Sequence, residues 1–163
     1  MPDWTKSMEQ TFEYYVVDPG TWCDESQIKD IIQSSIEWDA DADTLGSASF
    51  DVGSVLGECY VRTYLITIQN GIREKFPMGT FLVQTPKSSF DGRYQKVSID
   101  AYTPLLELKE GIPPLGYSIL KIGNVMSNAY KIISENMRAP VIKTASDDKL
   151  YNDYVANTSD TWL

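Results

Sequence analysis

The sequence predicts a mainly β, α+β protein, with a strand-rich first region of barrel or sandwich type and a smaller helix-containing segment after it. Three observations carry that expectation. Short runs rich in Val, Ile, Thr, Tyr and Phe recur between turn signals up to about residue 102. The stretch GIPPLG at 111–116 then breaks regular structure. Beyond it, a wide apolar face at helical spacing opens at Asn124. The expected division is 1–110 for the β domain and 111–163 for an α/β segment.

The first run, Phe12 to Val17, favours a strand and is closed by Asp18-Pro19-Gly20, a turn signal. Residues 24–34 read as a short helical turn or a connector, because Ile28, Ile31 and Ile32 fall at i, i+3 and i+4. From Ile36 the period becomes two. Ile36, Trp38, Ala40 and Ala42 alternate with Glu37, Asp39, Asp41 and Asp43, predicting a strand with one apolar and one acidic face. Thr44 to Ser47 interrupts, and Ala48, Phe50 and Val52 resume the alternation before a loop at 53–57. The strongest strand is expected at 58–68, ending at Asn70-Gly71, a pair suited to a two-residue hairpin. Residues 72–76 return, Pro77 demands an edge or a break, and 79–85 form the next strand. After an Asp91-Gly92 turn, Val97, Ile99 and Ala101 alternate with Ser98, Asp100 and Tyr102.

Residues 104–109 predict a helical turn. Asn124 is placed to cap a helix running to about Arg138, with Val125, Met126, Ala129, Tyr130, Ile132, Ile133 and Met137 on its apolar face. Pro140 sits where such a helix has to stop, and 147–156 read as loop and short strand. Ser159 to Leu163 reads as an N-cap and first helical turn; because one turn cannot hold itself, the expectation is either another chain docked there or, as the favoured reading, the front portion of a longer polypeptide.

At 163 residues the chain is long enough to bury a core. Its net charge of −9, with 14 cationic residues scattered rather than striped, argues against phosphate-driven nucleic-acid binding. Cys23 and Cys59 fit no metal spacing and read as two reduced thiols, although one bridge between them is open. No apolar run approaches ~18 residues, and the N-terminus lacks the basic and apolar regions of a signal peptide. A cytoplasmic site of synthesis is expected.

A search for chemistry returns little. Without histidine, Ser-His-Asp and Cys-His arrangements are impossible. Asp39-x-Asp41-x-Asp43 resembles the start of a calcium loop, but Thr44 stands where glycine is needed and Phe50 where the bidentate Glu belongs. No phosphate-binding glycine loop is present, since Gly53 and Gly57 precede no Lys-Ser/Thr. Arg62, inside the strongest strand, reads either as a packed or interfacial partner or as an outward charge. The expectation is a non-enzymatic protein with no catalytic residues, metal or cofactor.

The runs ADTLGSASFDV, ECYVRTYLITIQNG, EKFPMGTFLVQTP, FDGRYQKVSIDAYTPLLELKE and NVMSNAYKIISENMRAPV resemble the baseplate hub, or tail-tip, family of tailed bacteriophages. In that family such a region forms the N-terminal part of a tail-associated lysin or tail-tip protein, and related folds occur in contractile tails and type VI secretion spikes. The resemblance spans roughly residues 10–163 and implies a tube-like β-barrel domain followed by the helix-bearing segment. It implies self-association into a trimeric or hexameric ring that closes or extends the tail tube. The implied neighbours are tail tube and distal tail proteins, with fibre, spike or lysin components. It further implies that DNA passes through the ring during ejection without specific binding. The implied location is the virion tail tip, assembled in the host cytoplasm with no membrane anchor. Glu37, Asp39, Asp41 and Asp43 are then candidates for a lumen-facing or interface-facing surface. Relatives continue into further barrels and fibre or lysin domains, so downstream enzymatic activity is not implied. The rival expectation is a monomeric carbohydrate-binding module for a host surface, using Trp4, Trp22 or Trp38.

Overall fold

The computed structural model describes residues 1–54, 56–84, 87–90 and 95–163, the side chains of 88–90 and 95–96 excepted. Two compact units result: 1–39 with 46–103, and 40–45 with 104–163. The expected boundary at residue 110 thus falls within the second unit. No helix among the described residues is long and apolar enough to cross a membrane.

The first unit is an eight-stranded, antiparallel sheet. Its strands are β1 (Glu9–Val17), β2 (Asp24–Ile28), β3 (Ile31–Trp38), β4 (Gly46–Val52), β5 (Tyr60–Gln69), β6 (Ile72–Val83), β7 (Lys87–Phe90) and β8 (Gln95–Tyr102). Pairing runs in the order β2-β1-β5-β6-β8-β4-β3, with β7 added beside β8. The described pairings leave β2 and β3 as the two ends of this path and form no closed barrel.

Alternation explains the core. Ala48, Phe50 and Val52 of β4 and Val97, Ile99 and Ala101 of β8 are buried on one face, joined by Tyr14, Ile28, Val61, Phe81 and Val83. One cluster therefore draws on β1, β2, β4, β5, β6 and β8. Phe50 and Tyr14 meet edge to face at 5.9 Å, and the Tyr14 hydroxyl hydrogen-bonds Ser34 Oγ of β3 at 2.6 Å.

At Asn70-Gly71 both residues take positive φ, 52° and 77°, the conformation that a primed hairpin turn requires. Pro77 does not break β6. It lies opposite Tyr64 at a bulge in the β5–β6 register. On its other side β6 meets β8 only at Leu82 and Val83, so Pro77 occupies the open-edge position that tolerates a missing N–H. The Asp91-Gly92 turn and Thr85 lie outside the described residues.

Three expectations need correction. Residues 24–34 are not helical: β2 pairs with β1 and β3 with β4. The isoleucine spacing fits a helix, but β-branched residues gain little from one, and pairing of β2 with β1 and of β3 with β4 decides. The acidic alternation does not continue as a strand to Asp43, since β3 ends at Trp38 and 39–45 form turns. Alanine and aspartate are poor strand formers, so period two alone does not sustain pairing. Residues 159–163 do not start a helix. The Trp162 N–H instead donates to the carbonyls of Leu108 and Gly111, both at 3.1 Å, and its ring packs edge-on against Tyr117 at 4.8 Å.

The second unit holds α1 (Leu106–Glu110), β9 (Ser118–Ile119), α2 (Val125–Asn136) and β10 (Tyr154–Val155). Asn124 caps α2 as expected, its side-chain oxygen accepting from the Ser127 N–H at 2.8 Å. Arg138, just past α2, clasps Glu107 of α1 through its backbone N–H at 2.9 Å and its Nε at 2.6 Å. No residue of α2 is fully buried.

Candidate functional site

The acidic candidates separate by structure. Glu37 is exposed on the outer face of β3, opposite Ser47. Asp39, Asp41 and Asp43 follow in the turn, also exposed, and Asp43 pairs with Lys109 at 2.9 Å. They share no strand face with Glu37. Among the described residues, no group of three or more His, Cys, Asp or Glu side chains is placed to hold a metal.

Glu37 joins a different acidic set. Register across β3, β4 and β8 lines up Gln33, Asp51 and Ser98; then Ser35, Ser49 and Asp100; then Glu37, Ser47 and Tyr102. This outer face is small, polar and acidic, with a groove of about 130 Å³ lined by Ser35, Glu37, Ser47, Ala48, Ser49, Asp100 and Tyr102. Ser98 donates to Asp51 at 2.6 Å. Asp100 and Asp51 are the members that sequence reasoning missed. Their signal was present in the alternation with Val97, Ile99 and Phe50, but nothing in one dimension aligns β4 with β8.

The outer face of β1, β5 and β6 carries a network of charges and rings. Arg62 is only 15% exposed. Its Nε donates to Thr80 Oγ1 at 3.0 Å, one terminal nitrogen to Asp24 at 2.9 Å, and the other to the Trp22 carbonyl at 3.0 Å. Of its two expected readings, the packed partner is the one realised. Tyr64 donates to the other Asp24 oxygen at 2.9 Å. Lys75 Nζ sits 3.6 Å from the Tyr64 ring centre and 4.2 Å from that of Tyr15. Burial, then hydrogen bonding to Asp24, raises the Tyr64 hydroxyl above its ordinary pKa. Burial alone would raise the Glu13 carboxyl, but hydrogen bonds from Arg73 and Tyr15 outweigh it and hold Glu13 below the usual range. Each polar group here answers another within the chain, so the network reads as structural.

Cys23 is exposed and Cys59 half-buried, and both are free thiols. Val17 stands between Asp24 and Tyr60 in the sheet, so the cysteines lie one residue further along strands two apart. Burial pushes the Cys59 thiol upward.

The three tryptophans of the rival expectation each pack on a different ring. Trp4 packs on Phe76, Trp22 on Tyr60 and Trp38 on Phe81, and neither described groove is lined by a tryptophan. The second groove lies between residues 1–3 and the β5–β6 turn.

No protein-family model matches the chain, and no curated protein matches it. Solved structures do. A tail protein from Neisseria meningitidis MC58 superimposes with a TM-score of 0.60 at 12% identity, over 94% of this chain and 43% of that one. A chain of the lidded Francisella PdpA–VgrG complex gives 0.51 at 10% identity, over 96% of this chain and 24% of that one. The chain therefore spans less than half the length of either protein, and what it shares with them is the fold.

Proposed function

We propose that this chain is a structural component of a virion tail, a baseplate hub or tail-tip subunit that works by assembly and not by catalysis. The observation that carries the reading is a common fold with a tail protein over 94% of the chain. A second neighbour, from a complex that includes VgrG, agrees with it. The polar outer face of β3, β4 and β8 supports a surface-forming role.

In the finer form of this proposal, the subunits close into a ring of three or six at the tail tip and DNA passes through it. Its neighbours are tail tube and distal tail proteins, with fibre, spike or lysin components. The acidic face with Glu37, Asp51 and Asp100 suits a lumen, because carboxylates repel a passing polyanion. Lys29 and Asp30 alone join the two end strands of the sheet, so β2 and β3 can act as one bent strand that closes a tube. The Tyr14–Ser34 hydrogen bond across this junction supports the closure.

The test is mass in solution by light scattering, with negative-stain imaging of the same fraction. Three- or six-fold rings with a central hole are expected. A monomer at every concentration that also binds glycans would replace this reading with a carbohydrate-binding one.

A further inference from the structure

Besides the short β7, four edges of the sheet are open among the described residues: β2, β3, residues 9–13 of β1 on the side away from β5, where Glu9 and Glu13 stand, and the part of β6 before Leu82. Native sheets blunt such edges with charges, proline or short length, since an unpaired row of N–H and C=O groups templates a further strand. β2 is five residues long and opens with Asp24 and Glu25. The β6 stretch carries Arg73, Lys75 and Pro77. β3 is different: residues 31–36, Ile-Ile-Gln-Ser-Ser-Ile, contain no charge, proline or glycine. Ile32 there is 68% exposed.

Resting on the ring reading above, we propose that the β3 edge of one copy takes the 72–77 stretch of β6 of the next copy as an added antiparallel strand. A second copy is the occupant that charge selects. Arg73 and Lys75 keep exposed surface beside their in-chain partners Glu13 and Asp24 and oppose pairing of β6 with another β6, whereas β3 borders Glu37, Asp51 and Asp100 on its outer face. One register satisfies both edges as far as the β3 bulge between Ile31 and Gln33. It sets Ile36 opposite Ile72, Ser35 opposite Arg73 and Gln33 opposite Lys75. Arg73 then extends the Ser35–Ser49–Asp100 row, and Lys75 extends the Gln33–Asp51–Ser98 row. Ile72, 66% exposed in the single chain, gains an apolar neighbour. No like charges face each other directly. The contact joins two different edges of the sheet, so it is head-to-tail and propagates into a ring when the rotation closes.

The decisive experiment uses the full chain with Cys23→Ser and Cys59→Ala, carrying Ser35→Cys and Arg73→Cys together, under mild oxidation. The expected result is a ladder of disulfide-linked multimers on a denaturing gel, ending at the ring size. A monomer band alone, or a stop at dimer, overturns the edge assignment. Ser35→Lys and Ser35→Glu give a second measurement that does not depend on cross-linking. The lysine, facing Arg73, is expected to weaken association roughly fivefold and the glutamate to preserve it; equal effects overturn the register. Rings of the unmodified chain without a ladder would remove the edge assignment and leave the ring reading standing. A monomer by light scattering at all concentrations, with no ladder, would remove both.

Discussion

At Arg62, three donors of one guanidinium are committed to three parts of the chain: the Trp22 carbonyl before β2, Asp24 in β2 and Thr80 in β6. A planar fork reaches all three at once, and an ammonium does not. Arg62→Lys is therefore expected to leave at least one partner unsatisfied and to cost about 2–3 kcal/mol of stability. The urea-unfolding midpoint measures this, with far-UV circular dichroism confirming an unchanged fold. A shift within error would mean that water replaces the lost contacts. The same side chain shows what one dimension conveys. Tyr60, Arg62 and Tyr64 share a face by alternation, so a charge between two aromatics was visible in the sequence. Its partner Asp24 was not, because 38 residues separate them and only the β2-β1-β5 order brings them together.

Among the elements, β6 depends on one backbone position. Gly79 holds φ at +152°, and a Cβ there would stand 2.7 Å from Phe81 Cζ and 3.0 Å from Trp38 Cζ2. Gly79→Ala is expected to combine strained backbone with a displaced core ring and to cost about 2 kcal/mol or more. Met78→Ala, at the half-buried neighbouring residue, is expected to cost markedly less. Equal unfolding midpoints for the two variants would show that the bulge relaxes freely. β4, β5, β8 and the Asn124 cap were legible because alternation, β-branched density and capping chemistry are local signals that the tertiary structure reinforces. β2 and the start of β3 before Ile36 were not, because isoleucines at helical spacing carry the same local message whether or not a sheet edge waits for them. The acidic run after Trp38 failed for the opposite reason. Its period is that of a strand, but its residues lack the packing surface that makes pairing worthwhile. Pro77 left edge and break open together, and the short overlap of β6 with β8 decided between them.

Across the whole molecule, burial is distributed very unevenly between the two units. In the first, Val52, Val61, Phe81, Val97, Ile99 and Ala101 are wholly inaccessible. In the second, α2 buries no residue completely, while Leu115, Ile142 and Tyr151 are each more than 85% exposed. Local opening costs little where few apolar groups leave a core, and it approaches the global unfolding energy where many do. Hydrogen exchange of the isolated chain is therefore expected to be slowest at the amides of β5 and β8 and faster by orders of magnitude across α2. Asn124→Ala, which removes an N-cap typically contributing ~1 kcal/mol, should speed exchange in α2 about fivefold and leave β5 and β8 unchanged. If both regions accelerate together, the chain opens as one cooperative body and α2 is held by more than its own half-buried face. If only α2 responds, the same measurement on the proposed ring becomes a probe of assembly. Protection gained there on ring formation would mark the second unit as a surface that assembly covers, and unchanged exchange would confine the subunit contacts to the sheet.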